Sequence, residues 1–407
     1  MDNPTTQNSE VAPTNPVIYT VPTISPDINP IQQQNPKSRK LFVTILEIFL
    51  LSILVAACSY IYFFKLKTPT MTKKDIATQT SPIPQNQPQV KVLSISYFPT
   101  LDNITLDTTA MYNDLGYNIS IDEARAKIQS LNTEIVTALE NGTRYKFYKN
   151  PSAQPAIKYV IANEVGILEE VPISNTQFDD DPTTKIIDYN AILARQNICD
   201  LVENKGISEV WIWSYPGNNR GFFRSNFSSY YGDTSVSDMN PNDMPICNKS
   251  YTVYTSYYGD DATEPLKSHV LQFQALFYNL NSDLFWNKFV GFFHDEKWQG
   301  NWIGFTYQTR RCGSVTWPPN SENENDWSNI KGMLSDCEDW VPDGHGDVVN
   351  IDCYAWNCNA KDYYVYWMQN IPGKDNELIY NGSKLRNWWD FISDYDAAMK
   401  IKKDLVY

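Results

Sequence analysis

The longest apolar stretch in the chain is residues 41–64, LFVTILEIFLLSILVAACSYIYFF, whose single charge is Glu47. At about 1.5 Å rise per residue a helix of this length crosses a hydrocarbon core of about 30 Å. Tyr60, Tyr62, Phe63 and Phe64, followed by Lys65 and Lys67, suit an interfacial anchor at its end. The pattern predicts one transmembrane helix. Before it, residues 1–40 hold mostly Pro, Asn, Gln, Thr and Ser over 1–36, too little apolar surface to offset ordering entropy, so a disordered tail is predicted. After it, 65–90 reads as a Thr/Pro/Gln/Lys linker, leaving 91–407 as the folded domain.

Within that domain the hydrophobic period alternates between two and 3.6. Residues 90–98 alternate and stop at Pro99, a strand. Ser120 with Glu123 forms a capping box, and Ile128, Leu131, Ile135 and Leu139 recur at helical spacing up to Asn141-Gly142. Residues 145–148 and 158–165 read as two strands around a Pro-bearing turn. A helix is predicted over 187–204, with Ile192, Cys199 and Val202 inward and Gly206 as its stop, then a buried strand at 207–215, ISEVWIWSY. Residues 263–280 predict a further helix, with Leu266, Val270, Phe273, Phe277 and Leu280 on one stripe and Pro265 in the tolerated first turn. Strand, helix, strand, helix, strand in this order predicts an α/β domain with a mainly parallel or mixed sheet flanked by helices. Residues 281–407, rich in Trp and loops, read as a C-terminal cap.

Charge and cysteine usage set the compartment and narrow the partners. The 407-residue chain carries 33 Lys+Arg against 47 Asp+Glu, a net charge of −14 that argues against nucleic acid as partner. One cysteine lies in the apolar run and six lie beyond it, at 199, 247, 312, 337, 353 and 358. An even number suits an oxidising compartment and up to three disulfides, and without a CxxC pair a zinc knuckle is disfavoured. Basic residues flank both sides of the run almost equally, so the cysteines decide orientation: N-terminus cytoplasmic, large domain extracytoplasmic, a single-pass protein of the cell membrane. Six Asn-x-Ser/Thr sequons, at Asn103, Asn118, Asn141, Asn226, Asn248 and Asn381, fit that side. Val55-Ala56-Ala57-Cys58 has the form of a lipoprotein cleavage site, but the apolar character continues past the cysteine.

Candidate chemistry is sparse. Sites in open α/β sheets form beyond the carboxyl ends of strands, which points to the loop PGNNRGFFRS after Tyr215, where Arg220 or Arg224 would hold an anionic group. His269 on the 263–280 helix has Asp260, Asp261 and Glu264 as candidate partners for acid–base work, against a packing role. His294-Asp295-Glu296 offers a weaker metal signal. Asp343, Asp347 and Asp352 crowd oxygen donors into ten residues, a possible calcium site, although the closing Glu of a calcium hand is missing. No GxSxG, HExxH, GxxxxGK[ST] or GxGxxG occurs, so no other cofactor is implied.

Several stretches together resemble a family of uncharacterised secreted or exported microbial proteins: Asp188-Tyr189 before a helix, SEVWIWSYPG, GFFRS, SHVLQFQA, RCGSVTWPPN, VNIDCYAWNC and RNWWDFISDYDAA, colinear over most of 91–407. The resemblance implies that Arg224 and Gln272 stand where acidic residues are frequent, and Thr316 where His is frequent. His269 and Asn320 are then left without their usual company, which suits a degenerate enzyme or a binder. Two readings follow. One is a membrane-tethered binding or cell-surface module for a glycan or protein, using Arg220, Arg224 and Asn320. The other is an extracellular hydrolase of peptide or glycan using His269 with Asp261 or Glu264. The first is favoured, and convergence of His269, Arg224 and Asn320 on one pocket at the end of the 207–215 strand would discriminate.

Overall fold

The computed structural model describes residues 87–407 except 112–118, 179–180, 218–219, 237–241, 294–305, 308–310 and 345. The chain divides into Met1–Ser81 and Pro82–Tyr407, and every described residue belongs to the second unit. The tail, the predicted membrane helix 41–64 and most of the linker therefore lie outside the described residues, among which no helix is long and apolar enough to cross a membrane.

Five strands form the central sheet in the order β2-β1-β5-β8-β7, comprising β1 Gln89–Tyr97, β2 Lys158–Ile167, β5 Ile207–Ser214, β7 Ser225–Ser228 and β8 Tyr251–Tyr257. β2, β1, β5 and β8 run parallel, and β7 closes the edge antiparallel to β8. A smaller sheet joins β3 Ile173–Phe178, β4 Asp181–Ile187 and β6 Arg220–Gly221. The alternation in β5 explains its central position: Trp211 and Trp213 reach one face, Val210 and Ile212 the other, and all four are at most 2% exposed.

Helix α1, Ile121–Gly142, starts at the predicted capping box, where Glu123 N–H donates to Ser120 Oγ at 3.2 Å and Ser120 N–H to Glu123 Oε2 at 2.7 Å. Its Asn132 accepts from Trp213 Nε1 at 3.0 Å, fixing the helix on the Trp face of the sheet. The predicted 187–204 helix is two helices, α2 Tyr189–Arg195 and α3 Ile198–Lys205. Asn197 between them has φ 51°, a left-handed backbone that Asn tolerates and that stops α2. Residues 145–148, expected as a strand, are turns: Lys146 has φ 51°, incompatible with a strand, and its N–H donates to Gln369 O at 2.8 Å. Helix α4, Thr263–Leu280, appears as predicted, its stripe fully buried.

The C-terminal part packs against this layer through helix α5, Ala360–Gln369, and a cluster in which Trp340, Trp356, Trp367, Trp388 and Trp389 are each at most 1% exposed. Phe289 meets Trp340, Trp367 and Trp388 edge-on at 5.2, 5.8 and 5.7 Å. Two short helices end the chain, α6 Asp390–Ser393 and α7 Tyr395–Ile401. The buried Arg386 ties them down by donating to the carbonyls of Ala398, Lys402 and Asp404. The six outer cysteines form three disulfides: Cys199–Cys247, Cys312–Cys337 and Cys353–Cys358.

Candidate functional site at the carboxyl edge of the sheet

β8 runs out at Tyr257, the chain turns through Asp260 and Asp261, and α4 begins at Thr263. Against this corner lies a cleft of about 510 Å³ whose walls include Phe222, Arg224, Tyr257, Asp260, Glu264 and Lys267. Its position outside the carboxyl end of a parallel strand is where open α/β sheets place ligands. The Phe222 and Tyr257 rings meet edge-to-face at 4.8 Å and form an apolar wall. Arg224 Nη1 pairs with the Glu264 carboxylate. Lys267 lies 5.4 Å over the Trp327 ring and donates to Asn325 Oδ1 at 3.3 Å. Burial raises the pKa of Asp260 above its ordinary value, with the negative charge of Glu264 adding to it and Arg224 opposing.

The sequence candidates do not share this cleft. Arg224 and Glu264 line it, whereas Asp261 works locally, accepting the Thr263 N–H at 2.7 Å at the start of α4. Arg220 opens β6 of the smaller sheet with its guanidinium engaged: Nη1 donates to Tyr215 Oη at 2.8 Å and Nη2 pairs with Glu170. Asn320 is 1% exposed and clamps its own loop, donating to the carbonyls of Asn329 and Lys331 at 2.7 and 3.1 Å. His269 and Asn320 are not among the walls of the cleft that Arg224 lines, so the three do not converge there.

His269 is enclosed in the core. It is 1% exposed, with Nδ1 2.8 Å from Pro265 O one turn back. That contact aims Nε2 into the sheet, where Glu209 of β5 brings Oε2 to 3.5 Å. The carboxylate facing His269 is therefore Glu209, and not Asp260, Asp261 or Glu264. Tyr254 stacks on the imidazole at 3.7 Å and Trp211 meets it edge-on at 5.0 Å. Glu209, itself 4% exposed, accepts from Trp211 Nε1 at 2.8 Å and from the Tyr159 hydroxyl at 3.4 Å. The signal for Glu209 lay in ISEVWIWSY: a carboxylate sharing a strand face with two tryptophans must find partners inside the core.

The three aspartates of the calcium expectation serve separate backbone sites. Asp343 Oδ2 accepts from Asn381 N–H, Asp352 Oδ1 accepts from Tyr354 N–H, and Asp347 donates its N–H to Asp339. They do not bring their carboxylates into a common group. Among the described residues, ligand atoms of three such side chains lie within 4.8 Å of one another at Cys199, Glu203 and Cys247, and there the disulfide removes both thiolates. His294, Asp295 and Glu296 lie outside the described residues.

No protein-family model matches this chain, and no curated protein matches its sequence.

Proposed function

We propose that the domain is an extracytoplasmic binding module, held at the membrane by residues 41–64, and that it takes a carbohydrate in the carboxyl-edge cleft. The carrying observation is the composition of that cleft: the Phe222–Tyr257 aromatic wall beside the charged, hydrogen-bonding side chains of Arg224, Glu264, Asp260 and Lys267. A pyranose has an apolar face that packs on aromatic rings and equatorial hydroxyls that bond to planar polar groups, so this mixture matches it. Three disulfides suit an oxidising exterior. The test is a glycan array probed with the full chain, followed by titration calorimetry on any glycan retained. Phe222→Ala is expected to weaken binding by about tenfold, the scale of one lost aromatic contact. Retention of no glycan, or equal affinity of the variant, overturns the reading.

The hydrolase alternative loses support at His269, which is enclosed by Tyr254, Trp211 and Glu209. What favours it is Asp260, a carboxyl group whose raised pKa beside Glu264 suits a general acid. Incubating the retained glycans with the full chain and assaying for new reducing ends decides between binding and cleavage.

A further inference from the structure

At the opposite, amino edge of β5 and β8 lies a second cavity, of about 200 Å³, bounded by α4 and the α6–α7 corner. Its walls include six buried rings, Phe227, Tyr251, Tyr254, Phe273, Phe391 and Tyr395. Phe227 and Tyr395 meet edge-to-face at 5.0 Å. The charged groups among these walls are mostly acidic: Glu209, Asp394 and Asp396 against Lys249. Lys249 in turn lies near Glu203, whose carboxyl pKa it helps to lower after the hydrogen bonds from Asn248. Asp394 and Asp396 are satisfied by neutral donors, the Ala397 N–H and the Ser250 N–H and hydroxyl.

Glu209 is the unusual member. A carboxylate buried this deeply calls for a positive partner or a proton. His269 stands behind it and outside the cavity lining. His269 Nδ1 faces the Pro265 carbonyl at 2.8 Å, and its Nε2 approaches Glu209 Oε2 only to 3.5 Å, without a hydrogen bond. Oε1 receives only the 3.4 Å bond from Tyr159 and keeps acceptor capacity. Burial first, and then Glu209, lifts the Tyr254 hydroxyl well above its ordinary pKa.

We infer that this cavity is a binding site for a small organic ammonium ion, its charge held among the aromatic rings and directed toward Glu209. Aromatic faces attract cations electrostatically, most strongly where water is excluded, and the acidic groups select the sign. A volume of about 200 Å³ admits a ligand slightly larger than the benzene that fills a cavity of about 150 Å³. Neither the carboxyl-edge cleft nor its carbohydrate enters this inference.

The test titrates the full chain by calorimetry with choline and, separately, with 3,3-dimethyl-1-butanol, which has the same shape without the charge. Choline is expected to saturate one site and to bind about tenfold or more tightly than the neutral analogue. Glu209→Gln should bring the two affinities together, and Tyr395→Leu should weaken choline by about tenfold while Phe222→Ala leaves it unchanged. Should Glu209→Gln not fold, the ratio on the parent chain and the Tyr395→Leu result still decide. Absence of saturable choline binding, or equal affinity for the neutral analogue, overturns the assignment.

Discussion

His269→Gln is the most informative perturbation of the core. The ring lies between Tyr254 and Trp211 at 1% exposure, and its Nε2 is the basic group facing Glu209. Glutamine keeps a donor that can reach Pro265 O but removes the ring and the ionisable nitrogen. Glu209 is then left with one strong donor, Trp211 Nε1 at 2.8 Å, and one long one, Tyr159 at 3.4 Å. Leaving a buried acceptor short of a partner costs about 1–3 kcal/mol. Against a total stability of about 5–15 kcal/mol that is a large fraction. Glu209→Gln in the same background removes the stranded carboxyl group, so the double variant should lose less than the two single losses added, by about 0.5 kcal/mol or more. Urea unfolding of the full chain with its disulfides intact, followed by tryptophan fluorescence, measures all four corners of the cycle at constant m. If His269→Gln falls within about 0.5 kcal/mol of the parent, or the two losses simply add, the pairing argument fails.

Asp260 carries a pH signature. Burial and then Glu264 raise its folded-state pKa, so the folded chain binds that proton more tightly than the unfolded one. Its contribution therefore favours folding most below the usual carboxylate range and declines as pH rises through the folded-state value. Asp260→Asn should raise the urea midpoint at about pH 7 and lose that advantage at about pH 3, and a difference independent of pH would refute the assignment. The disulfides close loops of sequence separation 48, 25 and 5. By loop entropy, replacing each pair with alanines should cost about 4, 3.5 and 2 kcal/mol in that order, read from urea midpoints, and a reversed ranking would show that native packing outweighs chain entropy.

Features written in neighbouring residues were legible before any fold was known. The Ser120–Glu123 capping box, the stripe of α4 and the β-branched, aromatic run of β5 each depend on positions a few residues apart, and each appears as expected. An even set of outer cysteines announced bridges but left fifteen pairings open. Their choice, like the identity of the carboxylate facing His269, belongs to the tertiary structure. Asp260, Asp261 and Glu264 are near His269 in the chain, yet a helical residue points where its turn directs it, and the Pro265 carbonyl turns the ring toward the sheet. What lies there follows from β8 pairing beside β5, a strand order that brings Glu209 under α4 and that no local period encodes. The left-handed Lys146 misleads for the same reason: local propensity favours continuing the element, and a contact with distant chain, Lys146 N–H to Gln369 O, holds a different backbone.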